Sequence, residues 1–280
     1  MLKHRPTRSS LVFYLNGKRM ELFDVQPQMT VLTYLRSIGL TGSKLGCGEG
    51  GCGACTILVS RISTDQSSSN NDLSSFEDQK VLHTSVNACL LPIASIDFCH
   101  LTTIEGLGST STGLHPLQSK MSTCHGSQCG FCTPGIIMAL YALFLNDPEM
   151  KIQDMEKKFD GNLCRCTGYR PILDAAKGFC TTEDVCTTCP VKGSCTNHTE
   201  IGDMEDMVHS CSHMKRMENN DDKPTTWTSF EFPKELYGKN KDYLKMEGKE
   251  VAWYRPSTLM QLLDLKNEYG DNARLVCDIH

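Results

Sequence analysis

The chain lacks a charge of one sign. Its 28 basic residues stand against 33 acidic ones for a net charge of −5, and no basic cluster rises above the background, which argues against nucleic acid as a partner. It also lacks an apolar run long enough to cross a bilayer, so a membrane partner is not expected. The opening residues Met1 to Ser10 carry Lys3, His4, Arg5 and Arg8 without an acid. They have none of the apolar stretch a secretory signal needs, and read as a frayed terminus in preference to a short transit-like tail. No Ser–His–Asp set, phosphate loop or H-E-x-x-H helix is found. His83, His100, His115 and His125 are scattered, as packing or surface residues are. What the chain does have is cysteine, sixteen of them. Without a secretory route these point to metal ligation and thiols, not to a disulfide framework. The 39% apolar content over 280 residues supplies core for two modest domains.

Eight cysteines fall into two blocks. The first is Cys47-x4-Cys52-x2-Cys55 with a later Cys89, the spacing of plant-type [2Fe–2S] ferredoxins. Three thiolates must converge from one short loop, and the glycines at 46, 48, 50, 51 and 53 permit positive φ there. They also leave backbone N–H groups able to point at an anionic cluster. The chemical rival is a zinc site, although structural zinc loops usually pair ligands as C-x2–4-C on separate knuckles. Glu49 lies in this loop and is expected to face solvent.

The second block is Cys129-x2-Cys132 with Cys164-x-Cys166. Cys132 runs into Thr133-Pro134-Gly135 and an almost wholly apolar stretch to Leu145. This predicts a buried helix capped by Thr133 with Pro134 at its first position, ended by Asn146-Asp147-Pro148. Lys151 to Phe159 reads as a second, amphipathic helix and Pro171 to Gly178 as a third. Two cysteine pairs on inter-helix loops can then face each other.

Upstream, Leu11 to Leu15 and Met20 to Phe23 flank Asn16-Gly17, a strong hairpin signal. Thr30 caps a helix through Ile38 that ends at Gly39. Strands are expected at Thr56 to Ile62, Val86 to Leu91 and His100 to Ile104. Together these make a small mixed sheet over one helix, a β-grasp arrangement. The polar run Ser63 to Asp78 reads as a surface insertion.

Lys44 to Thr56, Asn87-Ala88-Cys89-Leu90, Thr103 to Gly108, His125 to Gly135 and Asp160 to Leu173 closely resemble the amino-terminal iron–sulfur region of the xanthine dehydrogenase and aldehyde oxidase family. The resemblance is strong from Leu11 to Phe179. It implies an α+β chain: a β-grasp plant-type [2Fe–2S] ferredoxin domain at 9–108, an all-α [2Fe–2S]-binding helical bundle at 109–180, a flexible cysteine-containing linker at 181–226, and the start of an FAD-binding α/β domain at 227–280. It further implies an electron relay between a molybdopterin centre and FAD. Cys47, Cys52, Cys55 and Cys89 would hold the cluster nearer FAD. Cys129, Cys132, Cys164 and Cys166 would hold the one nearer molybdenum, and Gln128 would contact the pterin. The alternative for Gln128 is a loop amide that serves the local backbone.

In the linker, Cys186, Cys189, Cys195, His198, Cys211 and His213 could be drawn as a zinc knuckle, but the apolar residues that pack behind such folds are missing. The sequon Asn197-His198-Thr199 has meaning only on a secretory route. Beyond it, Val251 to Pro256 leads to a helix capped by Ser257 and ending near Gly270, and Arg274-Leu275-Val276 begins a strand. Where the family continues with a phosphate loop, the chain has Cys277-Asp278-Ile279-His280. The expectation is therefore a truncated or partial enzyme, homodimeric when complete and cytoplasmic, with a peroxisomal location left open although no C-terminal signal is present. The fragment alone is not expected to act on substrate. The alternatives are a free-standing iron–sulfur subunit of a multi-chain molybdenum hydroxylase and, from another class, a cysteine-rich zinc or interaction module. The residues that would set xanthine against aldehyde lie outside this region in the family.

Overall fold

The computed structural model describes residues 8–63, 80–181, 230–237 and 242–276. The insertion and the linker cysteines and histidines named above lie almost wholly outside them. The chain opens with a hairpin, β1 (Leu11–Leu15) and β2 (Lys18–Leu22), turned at Asn16 and Gly17 with φ of 50° and 80°. Helix α1 (Val31–Ser37) follows, and the Thr30 side chain accepts the Thr33 N–H at its start. Three strands complete the sheet: β3 (Thr56–Ile62), β4 (Val81–Asn87) and β5 (His100–Thr102). Their order is β2-β1-β5-β3-β4, with the central β1–β5 pair parallel and the other pairs antiparallel. This is the mixed sheet over one helix that the sequence pattern predicts.

Two expected strands are displaced. β4 ends at Asn87 rather than running to Leu91, because Leu90 closes a turn on Asn87 and presents Cys89 at the strand end. β5 stops at Thr102, and Ile104 begins α2 (Ile104–Leu107).

β3 explains why the two halves pack as one body. Ile57 and Val59 join the core formed by Leu11, Phe13, Val31 and Leu35, whereas Leu58 on the other face belongs to the helical core. A strand buried on both faces reads as a continuous apolar run instead of an alternating one. The helical half is α3 (Pro116–Thr123), α4 (Thr133–Asn146), α5 (Ile152–Lys158) and α6 (Arg170–Lys177). α4 lies against β3 and β4 and is buried almost all round, as its composition predicts.

Its cap differs from expectation. Thr133 is the first helical residue and Cys132 the N-cap, while the Thr133 hydroxyl bonds Ser127 at 2.9 Å. α3 carries no Ser, Thr, Asp or Asn before it and so gives little sequence signal. His115 caps it instead, its Nδ1 accepting the Leu117 N–H while Gln118 accepts the His115 N–H.

The carboxyl-terminal residues return to the first core. β6 (Leu244–Glu247) and β7 (Ala252–Arg255) form a hairpin whose Leu244 and Met246 are buried among the β1 and α1 side chains. The hairpin is fastened by Asp97, fully buried, which accepts from Arg8, Arg255 and the Val12 N–H. α7 (Leu259–Tyr269) follows, capped by Thr258 with Gln261 in place of Ser257 and ending at Gly270. Arg274 to Val276 form no strand; Leu275 and Val276 are exposed, with no sheet edge beside them among the described residues.

Candidate metal centres

The first loop runs from Lys44 to Cys55 between α1 and β3. Lys44 N–H donates to the Ala54 carbonyl at 3.0 Å, which closes the loop at its base. Gly48, Gly50 and Gly53 take positive φ as required, while Gly46 and Gly51 do not. Gly46 serves by its size, because a Cβ there would stand 2.6 Å from the Cys52 sulfur. Backbone donors point at sulfur: Cys47 N–H to Cys52 Sγ at 3.4 Å, and Glu49 N–H to Cys47 Sγ at 3.3 Å. Glu49 itself is exposed. These N–H groups favour the thiolate. The Glu49 N–H, then the Cys52 thiol and the Cys52 and Gly51 N–H groups, bring Cys47 down to about 7.

The fourth thiol arrives from elsewhere in the chain. β3 pairs with β4 so that Thr56 faces Asn87, which sets Cys55 beside Ala88 and Cys89 at the strand ends. Both are buried. Burial, followed by the neighbouring Cys89 and Cys52, pushes the Cys55 thiol up to about 11. Asn87 braces the loop by donating to the Gly50 carbonyl at 2.7 Å.

The second set stands on two loops between helices. Cys129 and Cys132 precede α4; Cys164 and Cys166 precede α6. Cys129 and Cys166 are exposed and Cys164 is buried. Burial raises Cys164, but Thr167 opposes it with its hydroxyl at 3.1 Å and its N–H at 3.5 Å, and the result is a lowered pKa. Cys132 is pushed up to about 11 by burial and then by Cys164. Tyr169, at a left-handed φ of 69°, returns its hydroxyl to accept the Cys164 N–H at 2.9 Å.

In both sets the thiols meet as pairs: Cys47 with Cys52 and Cys55 with Cys89, then Cys132 with Cys164 and Cys129 with Cys166. Each pair feels the charge of its neighbouring pair. No three His, Cys, Asp or Glu side chains among the described residues gather as one ion would need. Two irons sharing four cysteines take two thiolates each, so a two-plus-two donor set fits a diiron cluster better than a tetrahedral zinc.

Gln128 is exposed on the loop before Cys129. Its neighbours Ser127 and Gly130 line an open groove of about 580 Å³ together with Gln118, His125 and Thr133. The other histidines are packing groups: His83 Nδ1 bonds Ser60 at 2.8 Å, and His100 Nε2 accepts the Gly17 N–H at 3.1 Å. The motif-based reading omitted Asn162 and Thr167. A buried asparagine and a hydroxyl three residues beyond a cysteine carry no spacing rule by which to find them.

Comparison with known proteins bears on both loops. A family described as a 2Fe-2S iron-sulfur cluster binding domain matches residues 13–94, which include Cys47, Cys52, Cys55 and Cys89. One described as a [2Fe-2S] binding domain matches residues 103–177, which include Cys129, Cys132, Cys164 and Cys166. The chain is 42% identical over 275 residues to the xanthine dehydrogenase of Dictyostelium discoideum, with 96% of this chain and 20% of that protein covered. It is 43% identical over 288 residues to the xanthine dehydrogenase of Calliphora vicina, with 99% and 20% covered. Among solved structures, the aldehyde oxidoreductase of Desulfovibrio gigas matches with a TM-score of 0.50 and 33% identity, over 61% of this chain and 16% of that one. The chain spans about a fifth of the length of the curated relatives it matches.

Proposed function

The chain belongs to the xanthine dehydrogenase and aldehyde oxidase family and carries two [2Fe–2S]-binding domains, and from that premise we propose that it relays electrons between a molybdopterin centre and FAD. The observation that carries this reading is the pairing of eight thiols into two neighbouring two-plus-two sets. In it, Cys47, Cys52, Cys55 and Cys89 hold the cluster nearer FAD. Cys129, Cys132, Cys164 and Cys166 hold the one nearer molybdenum. When bound, the clusters supply one-electron redox chemistry that no side chain can supply.

The protein's own contribution is position and hydrogen bonding. The Cys47 and Glu49 N–H groups on one set, and the Thr167 N–H and hydroxyl on the other, donate to sulfur. Such donors disperse the added negative charge and raise the reduction potential. Gln128, exposed beside the groove that Ser127 and Gly130 line, is the residue we assign to the pterin. The division we adopt is 9–108, 109–180, a linker at 181–226, and the beginning of an FAD domain at 227–280. The exposed Leu259, Met260 and Leu263 of α7 support the last part, as an apolar face for further sheet or helix to cover.

Xanthine or aldehyde hydroxylation, FAD binding and homodimer formation are assigned to the whole enzyme, in the cytoplasm. No helix among the described residues is long and apolar enough to cross a membrane.

Anaerobic reconstitution with iron and sulfide tests the relay. The expected product is red-brown, bleaches with dithionite and holds about four irons and four sulfides per chain. Negligible iron, or uptake of zinc alone, would overturn it.

A further inference from the structure

We propose that the backbone hydrogen bond from Leu163 to Cys52 is the conductive link between the two thiolate sets, and that Asn162, Gly53 and Gly135 are the positioning residues that hold it closed. This deepens the relay reading above and rests on it.

The Leu163 N–H donates to the Cys52 carbonyl at 2.9 Å. Cys52 belongs to the first set, and Leu163 directly precedes Cys164 of the second. Between those two sulfurs the route is therefore covalent except for one hydrogen bond. Electronic coupling decays more slowly along bonds than across van der Waals gaps. The other contact between the loops is of the weaker kind: the Phe131 ring, 46% exposed, lies 3.6 Å from where a Cβ on Gly46 would stand.

The link is built into a tight seam. Asn162, buried, donates to the Gly53 carbonyl at 2.9 Å and reaches Thr56 Oγ1 at 3.3 Å. The Thr56 N–H and hydroxyl also donate to that carbonyl, at 3.1 and 2.7 Å. A Cβ on Gly135 would stand 2.2 Å from the Gly53 oxygen, and one on Gly53 would stand 2.4 Å from the Gly161 oxygen. Gly53 sits at φ 68° besides. Neither position admits a side chain without parting the loops. Leu163 itself has a side chain 62% exposed, so its amide, not its side chain, is the engaged part.

One electron leaving the second set and entering the first oxidises one cluster and reduces the other; no proton moves and no bond forms. The test uses the full chain loaded with both clusters. It is reduced by a brief photochemical pulse, and redistribution between the clusters is followed by rapid-freeze paramagnetic spectra, with both midpoint potentials titrated separately. Leu163→Ala keeps the amide and is expected to match the parent. Replacing Leu163 by its α-hydroxy acid analogue, which removes only the N–H donor, and Gly135→Ala are each expected to slow redistribution several-fold at unchanged iron content and potentials. Asn162→Ala supplies the same loosening should either of those lose a cluster. Redistribution as fast as the parent's in variants that retain both clusters would overturn the link while leaving the relay intact. A parent chain with fewer than two clusters, seen in the iron analysis before any kinetics, would overturn the relay and this inference with it.

Discussion

The β-grasp half and the helical half arrive at the same two-plus-two arrangement by different means. In the first, the Cys47–Cys52 pair is local to one glycine-rich loop, and only the Cys55–Cys89 pair needs the β3–β4 register to form. In the second, both pairs, Cys132–Cys164 and Cys129–Cys166, cross between two loops that helix packing alone brings together. A locally encoded site should therefore tolerate loss of tertiary stability better than one assembled by packing.

The largest effects separate the two sites directly. Cys52→Ser is expected to abolish the first cluster's paramagnetic signal on reduction and spare the second's, and Cys132→Ser to do the reverse; iron should fall from about four to about two per chain in each. Both signals surviving either change would show that the ligand sets are wrong. Next, Phe144→Ala in the helical core, a side chain 1% exposed, is expected to cost about 3–5 kcal/mol. Urea titration with iron analysis should show the second cluster lost first, and equal loss of both would remove the contrast drawn here.

On the β-grasp side, Asp97→Ala leaves Arg8 and Arg255 without their buried carboxylate and is expected to cost about 3–5 kcal/mol. Limited proteolysis should then cut the β6–β7 hairpin away while the second cluster persists. Asn162→Ala, which removes the clamp on the Gly53 carbonyl, is expected to cost about 1–3 kcal/mol and to lower the unfolding midpoint of both halves together.

The smallest effect is a pH dependence present in each half. Burial, with the His83 charge adding to it, lowers His100 from 6.5 to about 4, and burial does the same to His115. The unfolded chain takes up these protons first as pH falls. Their stabilisation is therefore whole above about 6.5 and is lost as pH falls through about 4. His115→Asn keeps a capping side chain and should flatten that loss in the helical half. An unchanged slope in urea midpoints between those pH values would show that His115 does not contribute.

Much of this was legible in residue order. The Asn16-Gly17 turn, the Thr30 cap and the all-round apolar α4 each follow from local chemistry. What was not legible depended on partners far along the chain. The Thr133 hydroxyl serves Ser127 rather than the helix, His115 caps α3 by a ring nitrogen, and β6 reveals itself only when Leu244 and Met246 enter the first core. Cys99 and Cys124, which the sequence offers as bystander thiols, are packed at 4% and 7% exposure, so replacing them should affect stability and leave metal content unchanged.

The spacing of eight cysteines and the glycines around them determined which atoms can bind metal and in what number, because a short loop between ligands leaves the backbone few ways to present its sulfurs. Only the tertiary structure decided how they pair, and how close the two sets come. That outcome rests on β3 being buried on both faces, and on Gly53 and Gly135 leaving no side chain between two backbones that must touch.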